Sequence, residues 1–251
     1  FPWHALSSSS SSHRKELERA VLSERLLALY DVARAMHYLH QKSILFRDLK
    51  TENVARNHHG AFQLLDFGLA KELKETDRVV ETTCEQVVTI DMTTTTALSD
   101  DGSPTTATTM FAESLIRTNS NDFLDDAYKL TGLTGTLRIM SPEVLQCQPY
   151  GRSADVYSFG IVIWEVFQGE RNRLSAAEVV KGDRPELPVV GMPPRVESLV
   201  KKCYGSPASF RPTFAMLSQE LEYQLLEIQQ QQEGWQQHGY QAEQQQQQQQ
   251  Q

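Results

Sequence analysis

With 251 residues and a net charge of −8, the chain is large enough for one sizeable domain or two small ones, and too acidic to favour a phosphate backbone, so nucleic acid is excluded as the expected partner. The longest apolar run, Val156 to Phe167, is interrupted by Glu165 and falls short of the ~20 residues that a bilayer needs, so no membrane partner is expected; the amino end has no apolar segment of the signal-peptide kind either. Cys84, Cys147 and Cys203 are odd in number, far apart and without a Cys-x-x-Cys pair, which reads as reduced thiols in a cytoplasmic setting.

In chain order, residues 1–16 read as a disordered lead, with serine from Ser7 to Ser12 that no core can use. From Leu17 to Gln41 the apolar positions Leu22, Leu26, Leu29, Ala33, Met36 and Leu39 recur at spacings of three and four, the stripe of an amphipathic helix. His37 and His40 lie near its end, with no further ligand at a spacing that suits a metal, and read as ordinary helix-end histidines. Ile44-Leu45-Phe46 and Phe62-Gln63-Leu64-Leu65 read as short strands, with Asn57-His58-His59-Gly60 as the turn between.

Between them lies Leu45-Phe46-Arg47-Asp48-Leu49-Lys50-Thr51-Glu52-Asn53, followed by Asp66-Phe67-Gly68. Asp48 is placed to accept a proton from a hydroxyl, Lys50 to neutralise a phosphate oxygen, and Asn53 and Asp66 to offer oxygen ligands to a hard cation such as Mg²⁺. Beyond Gly68 the character changes. Between Glu72 and Asp126 acids outnumber bases twelve to three, and twelve of the residues from Thr76 to Thr109 are threonine. Val87-Val88-Thr89-Ile90 has the composition of a strand, but too little apolar surface follows to offset the ordering of the rest, so 72–126 reads as a disordered acidic insertion. It either is an inert tether or carries phosphosites, and no single threonine stands out.

Order is expected again from Tyr128, through Gly135-Thr136 and Ser141-Pro142-Glu143, into a buried helix opened by Asp155, whose carboxylate is favourable at a helix start. Leu199, Val200, Cys203 and Tyr204 lead to Arg211-Pro212-Thr213, and Leu217, Leu221, Leu225 and Ile228 form the last helical stripe. Residues 229–251 are a glutamine-rich, low-complexity tail, expected to be disordered and prone to association.

In order and spacing, these motifs resemble a eukaryotic protein kinase of the serine/threonine type. Lys50 two residues after Asp48, and the Gly135-Thr136 strip, carry the serine/threonine resemblance; Arg138-Ile139-Met140 and the Asp155–Trp164 helix resemble the tyrosine-kinase-like branch. The resemblance covers residues 17–228 and implies a mainly α fold, the carboxyl-terminal lobe of a kinase, in which a helical bundle and short β-hairpins surround the catalytic loop. It implies ATP and Mg²⁺ as cofactors and a protein as substrate. Asp48 would orient and deprotonate the acceptor hydroxyl, Lys50 steady the γ-phosphate, and Asn53 and Asp66 hold the metal. Thr136 would lie within reach of Asp48 and Lys50. Arg47 would pair with an added phosphate, Gly68 would close the metal triplet, Asp155 would accept backbone hydrogen bonds from the catalytic loop, and Glu143 would pair with Arg211. Phe46 stands where the family usually has histidine, as an aromatic packing element.

The first glycine in the chain is Gly60, so no glycine-rich loop precedes the catalytic loop, and Lys15 sits in a charged stretch instead of an apolar strand. The expectation is a truncated kinase domain, a fragment with little turnover alone. The competing class is a non-catalytic kinase-like module or scaffold, with the acidic insertion or glutamine tail contacting protein partners.

Overall fold

The computed structural model of the chain describes residues 11–79 and 127–230, with side chains from residue 13. Most of the serine run, the acidic stretch from residue 80 to 126 with its Val87–Ile90 strand, and the glutamine-rich tail beyond 230 lie outside the described residues. Among the described residues no helix is long and apolar enough to cross a membrane.

The first helix, α1, runs Ser11–Gln41, so it starts before the expected Leu17. Arg14, Lys15 and Glu16 are good helix formers, and Arg14 Nε reaches Glu18 Oε1 at 2.9 Å one turn on, which supports the extension. The apolar stripe is the buried face: Leu26, Leu29, Ala33 and Met36 are at most 1% exposed. Each such leucine contributes roughly 1.5–3 kcal/mol relative to an exposed one.

Two small antiparallel ribbons follow. β1 (Ile44–Leu45) pairs with β4 (Lys71–Glu72), and β2 (Val54–Arg56) pairs with β3 (Phe62–Leu64) in the register Val54↔Leu64. Asn57 Oδ1 accepts from the amides of His59 and Ala61, which closes the β2–β3 turn as its sequence demands. His58 and His59 are exposed.

Residues 72–79, expected to open the disordered insertion, instead belong to the fold. Glu72 is in β4, Glu75–Asp77 forms a 3₁₀ turn, and Leu73 is buried beside Leu45, Tyr128 and Tyr150. Backbone pairing, invisible to composition, decides this. Val79 N donates to Ala127 O and Lys129 N to Asp77 O, both at 2.8 Å. A bridge ladder runs from Arg78 to Tyr128 and from Tyr128 to Tyr150.

The short α2 (Pro142–Leu145) leads to α3 (Arg152–Gln168). This helix is buried on nearly every side, as its continuous apolar run requires. Gly160 lets a neighbour in closely: a Cβ there would lie 2.7 Å from Cys203 Cβ and 2.9 Å from Tyr204 Cε1. Asp155 is not the cap of α3, as its place in the sequence suggested; Gly151 holds that position without a side-chain cap. The fourth helical residue, Asp155 turns its carboxylate towards the catalytic loop instead.

α4 (Ala176–Lys181) opens with a complete capping box of Ser175 and Glu178. α5 (Pro194–Cys203) packs Val196, Leu199, Val200 and Cys203 into the core. A last helix, α6 (214–230), follows, with Phe214, Leu217 and Leu221 buried. It runs past Ile228, where the sequence pattern ends, to the last described residue. The principal core lies where α1, α3, α5 and α6 meet, with Phe46 and Leu49 of the loop after β1 sealed into it.

Candidate active site

The loop from Phe46 to Asn53 is held from beneath by one buried carboxylate. Asp155 Oδ1 accepts from Arg47 N at 2.8 Å, and Oδ2 accepts from Phe46 N at 2.9 Å. His40 Nε2 lies 2.9 Å from the same Oδ2. His40 is therefore part of this brace and not a loose helix-end residue. The signal for it was its register: Leu29, Ala33, Met36 and His40 fall on one stripe. His37 instead pairs with Gln41.

Phe46 is fully buried and packs edge-on against Phe67 at 5.3 Å between centroids, so its ring joins the loop to the Asp66 triplet. Arg47 has φ +68, which turns the chain sharply before Asp48. Its guanidinium donates to Leu69 O at 2.6 Å and to Thr131 Oγ1 at 3.2 Å.

Asp48, Lys50, Asn53 and Thr136 converge. Lys50 Nζ donates to Asp48 Oδ2 at 2.6 Å and to Thr136 Oγ1 at 2.9 Å. Thr136 N donates to Asp48 Oδ1 at 2.9 Å. Asn53 Nδ2 donates to the Asp48 carbonyl at 2.9 Å and to Oδ2 at 3.2 Å. Both Asp48 oxygens are thus engaged. Burial pushes its carboxyl up, but the bonds from Lys50 and Thr136 outweigh that and hold it below the ordinary carboxylate range. The strip can come this close because residue 135 is glycine: its φ is +110, and a Cβ there would collide with the Arg47 carbonyl oxygen.

Asp66 reaches the site through β-pairing. Leu65 N donates to Asn53 O at 2.8 Å, continuing the β2–β3 ladder by one rung. Asp66 follows at φ +59, exposed, with Oδ1 accepting from Gly68 N at 3.1 Å. No direct hydrogen bond joins it to Asp48 or Asn53. Among the described residues no cluster of three or more His, Cys, Asp or Glu forms a metal cage. The oxygen donors are the Asn53 amide, whose hydrogens are turned to Asp48, and the Asp66 carboxylate. Asp66 is exposed and Asn53 buried; both are hard oxygen donors of the kind Mg²⁺ takes while keeping several of its waters.

Away from this centre, Arg211 meets Glu143 through a two-point fork, Nη1–Oε1 2.6 Å and Nη2–Oε2 3.0 Å. Arg211 also donates to the carbonyls of Gly205 and Ser153. Burial pushes Glu143 up, and the guanidinium beside it more than reverses this, leaving it below its usual range. A second ionic cluster, which no motif or spacing points to, ties Glu52 and Glu165 to Arg138 and Arg171.

Comparison with known proteins gives a consistent result. The protein kinase domain family matches residues 8–116, and the protein tyrosine and serine/threonine kinase family matches residues 114–221. The serine/threonine-protein kinase STY17 of Arabidopsis thaliana is 30% identical, over 79% of this chain and 27% of that protein. The serine/threonine/tyrosine-protein kinase HT1 of the same plant is 28% identical, over 84% of this chain and 42% of its own length. The mitogen-activated protein kinase kinase kinase dlk-1 of Caenorhabditis elegans is 24% identical, over 81% and 18%. The chain thus spans less than half the length of these curated relatives.

Proposed function

The chain belongs to the protein kinase family, in a serine/threonine type that resembles the tyrosine-kinase-like branch, and from that premise we propose that its site transfers the γ-phosphate of ATP to a serine or threonine hydroxyl of a protein. The observation that carries the reading is the convergence of Lys50 and the Thr136 backbone on the two oxygens of Asp48.

Asp48 stays ionised at neutral pH. Held below its ordinary range, it is suited to orient an acceptor hydroxyl and to take its proton only as the oxygen–phosphorus bond forms, in keeping with a loose transition state. Lys50 places a positive charge beside that hydroxyl and the incoming phosphoryl oxygens. Its second bond, to Thr136 Oγ1, couples the strip that would receive the protein substrate to the base. Asn53 and Asp66 would hold Mg²⁺, which supplies charge neutralisation at the phosphate oxygens. None of residues 1–59 is glycine, so these residues hold no glycine-rich phosphate cover. Transfer depends on positioning, and turnover by the 251-residue chain alone should therefore be small. Free thiols at Cys147 and Cys203 support placing the protein in the cytoplasm.

The test is nucleotide binding to the 251-residue chain with and without Mg²⁺, beside an Asp66→Asn variant. Weak binding that needs Mg²⁺ and disappears in D66N is expected. Binding indifferent to both would overturn the reading and favour a non-catalytic module. Any phosphotransfer detected should fall on serine or threonine and vanish in D48N.

A further inference from the structure

The ionic cluster at the edge of the catalytic loop uses none of the groups assigned to phosphoryl transfer, yet it is tightly made. Arg138 Nη2 lies 2.5 Å from Glu52 Oε2 and its Nε 3.1 Å from Glu165 Oε1. Arg171 Nη2 takes the other oxygen of Glu52 at 2.7 Å. Glu165, with its side chain only 3% exposed, also accepts from Thr51 Oγ1 at 3.1 Å and Asn172 N at 3.0 Å. Asn172 Nδ2 closes the circuit on the Arg138 carbonyl at 2.8 Å.

We propose that Arg138 is a positioning residue for the catalytic loop: its fork fastens Glu52, which lies between Lys50 and Asn53, to Glu165 on the rigid helix α3. The proposal rests on the kinase reading for its functional meaning, though not for its geometry. Three features carry it. Thr51 and Glu52 form most of the 3₁₀ turn Thr51–Asn53, whose cap residue Lys50 makes no side-chain capping bond to the turn, so contacts from outside the turn contribute to its orientation. Arg138 sits two residues beyond Thr136, and one side chain therefore registers the substrate strip against the loop. Its planar fork meets two carboxylates at once, which a lysine ammonium on a flexible stem cannot match. The charges agree with the geometry. Burial would raise the Glu52 carboxyl, but its backbone contact and the two arginines hold it below the ordinary range. Burial would likewise lower Arg138, and Glu165 and Glu52 raise it instead.

The experiment is residue-resolved amide hydrogen exchange on the full 251-residue chain. The probes are Asn53 N, bonded to Lys50 O, and Leu65 N, bonded to Asn53 O; Val162 in α3 is the reference. Arg138→Met should speed exchange at both probes by about tenfold while α3 is unchanged. Arg138→Lys should recover only part of the protection, since charge returns without the fork. Unchanged probes in R138M, or equal acceleration in α3, would overturn the proposal. A parallel Mg²⁺–nucleotide titration of the unsubstituted chain tests the kinase reading separately: its failure leaves the exchange result intact, and a negative exchange result leaves the nucleotide result intact.

Discussion

At the scale of single residues, the Glu143–Arg211 pair has the clearest energetic consequence. Arg211 is 2% exposed and engages both carboxylate oxygens of Glu143. Arg211→Met strands a buried carboxylate and should cost about 3–5 kcal/mol, read as a lower urea midpoint. Acid should erase the difference. The folded Glu143 carboxyl lies below its ordinary value, so its contribution is full above the unfolded pKa, about 4.3, and is lost as pH falls through the folded one. The gap between the unsubstituted chain and Glu143→Gln should therefore be widest near neutrality and shrink below about pH 4. A gap that stayed constant with pH would show that the carboxylate charge is not what Arg211 stabilises. Residues of this kind were legible when they belonged to a motif. Lys50, Asn53 and Thr136, picked out by order and spacing, all stand within hydrogen-bond reach of Asp48. Arg138, Glu165 and Arg171 were not legible as a cluster, because their contacts join points far apart in the chain and isolated charges read as solvated surface.

Between elements, the question is what keeps the catalytic loop in register with α3. Asp155 does so through two backbone amides, Phe46 N and Arg47 N, and through His40 of α1. Asp155→Ala leaves those amides unpaired beneath the loop, and each orphaned buried donor costs about 1–3 kcal/mol. A loss of roughly 2–5 kcal/mol is expected by denaturant unfolding. Asp155→Asn, which keeps one acceptor oxygen, should recover part of it. An alanine variant as stable as the parent would remove Asp155 from this role. The helices themselves were readable because burial follows period: the stripe of α1 and the all-round apolar run of α3 are the buried surfaces found. Their boundaries were less so. α1 begins earlier because charged helix formers continue a helix without an apolar stripe, and α3 begins before Asp155 because that carboxylate serves the neighbouring loop and not its own helix end. Of this ribbon, β1 was readable from Ile44-Leu45-Phe46, whereas β4 depends on pairing across an intervening hairpin, which no local pattern encodes.

For the molecule as a whole, the decisive feature is the neck where the chain leaves the described fold at residue 79 and returns at 127. The pair Val79 N–Ala127 O, the bond Lys129 N–Asp77 O and the bridge from Arg78 to Tyr128 hold the two ends side by side. Tyr128 is 3% exposed and packs with Leu45, Leu73, Met140, Val144 and Tyr150, so the neck is anchored in a core of its own. Within the described residues these bonds already join the two ends. Replacing that stretch with a short glycine–serine turn should therefore leave the fold intact and stabilise it. Shortening a closed loop from about 50 residues to about 5 reduces its closure entropy cost by roughly 2 kcal/mol. For a domain of this size that corresponds to a rise of about 4–8 °C in Tm. Calorimetry measures the rise directly, and the amide spectrum should keep the positions of Leu73, Tyr128 and Tyr150. A lower Tm, or displaced resonances at those three residues, would mean that the excised residues pack against the smaller core and that the neck alone does not hold it.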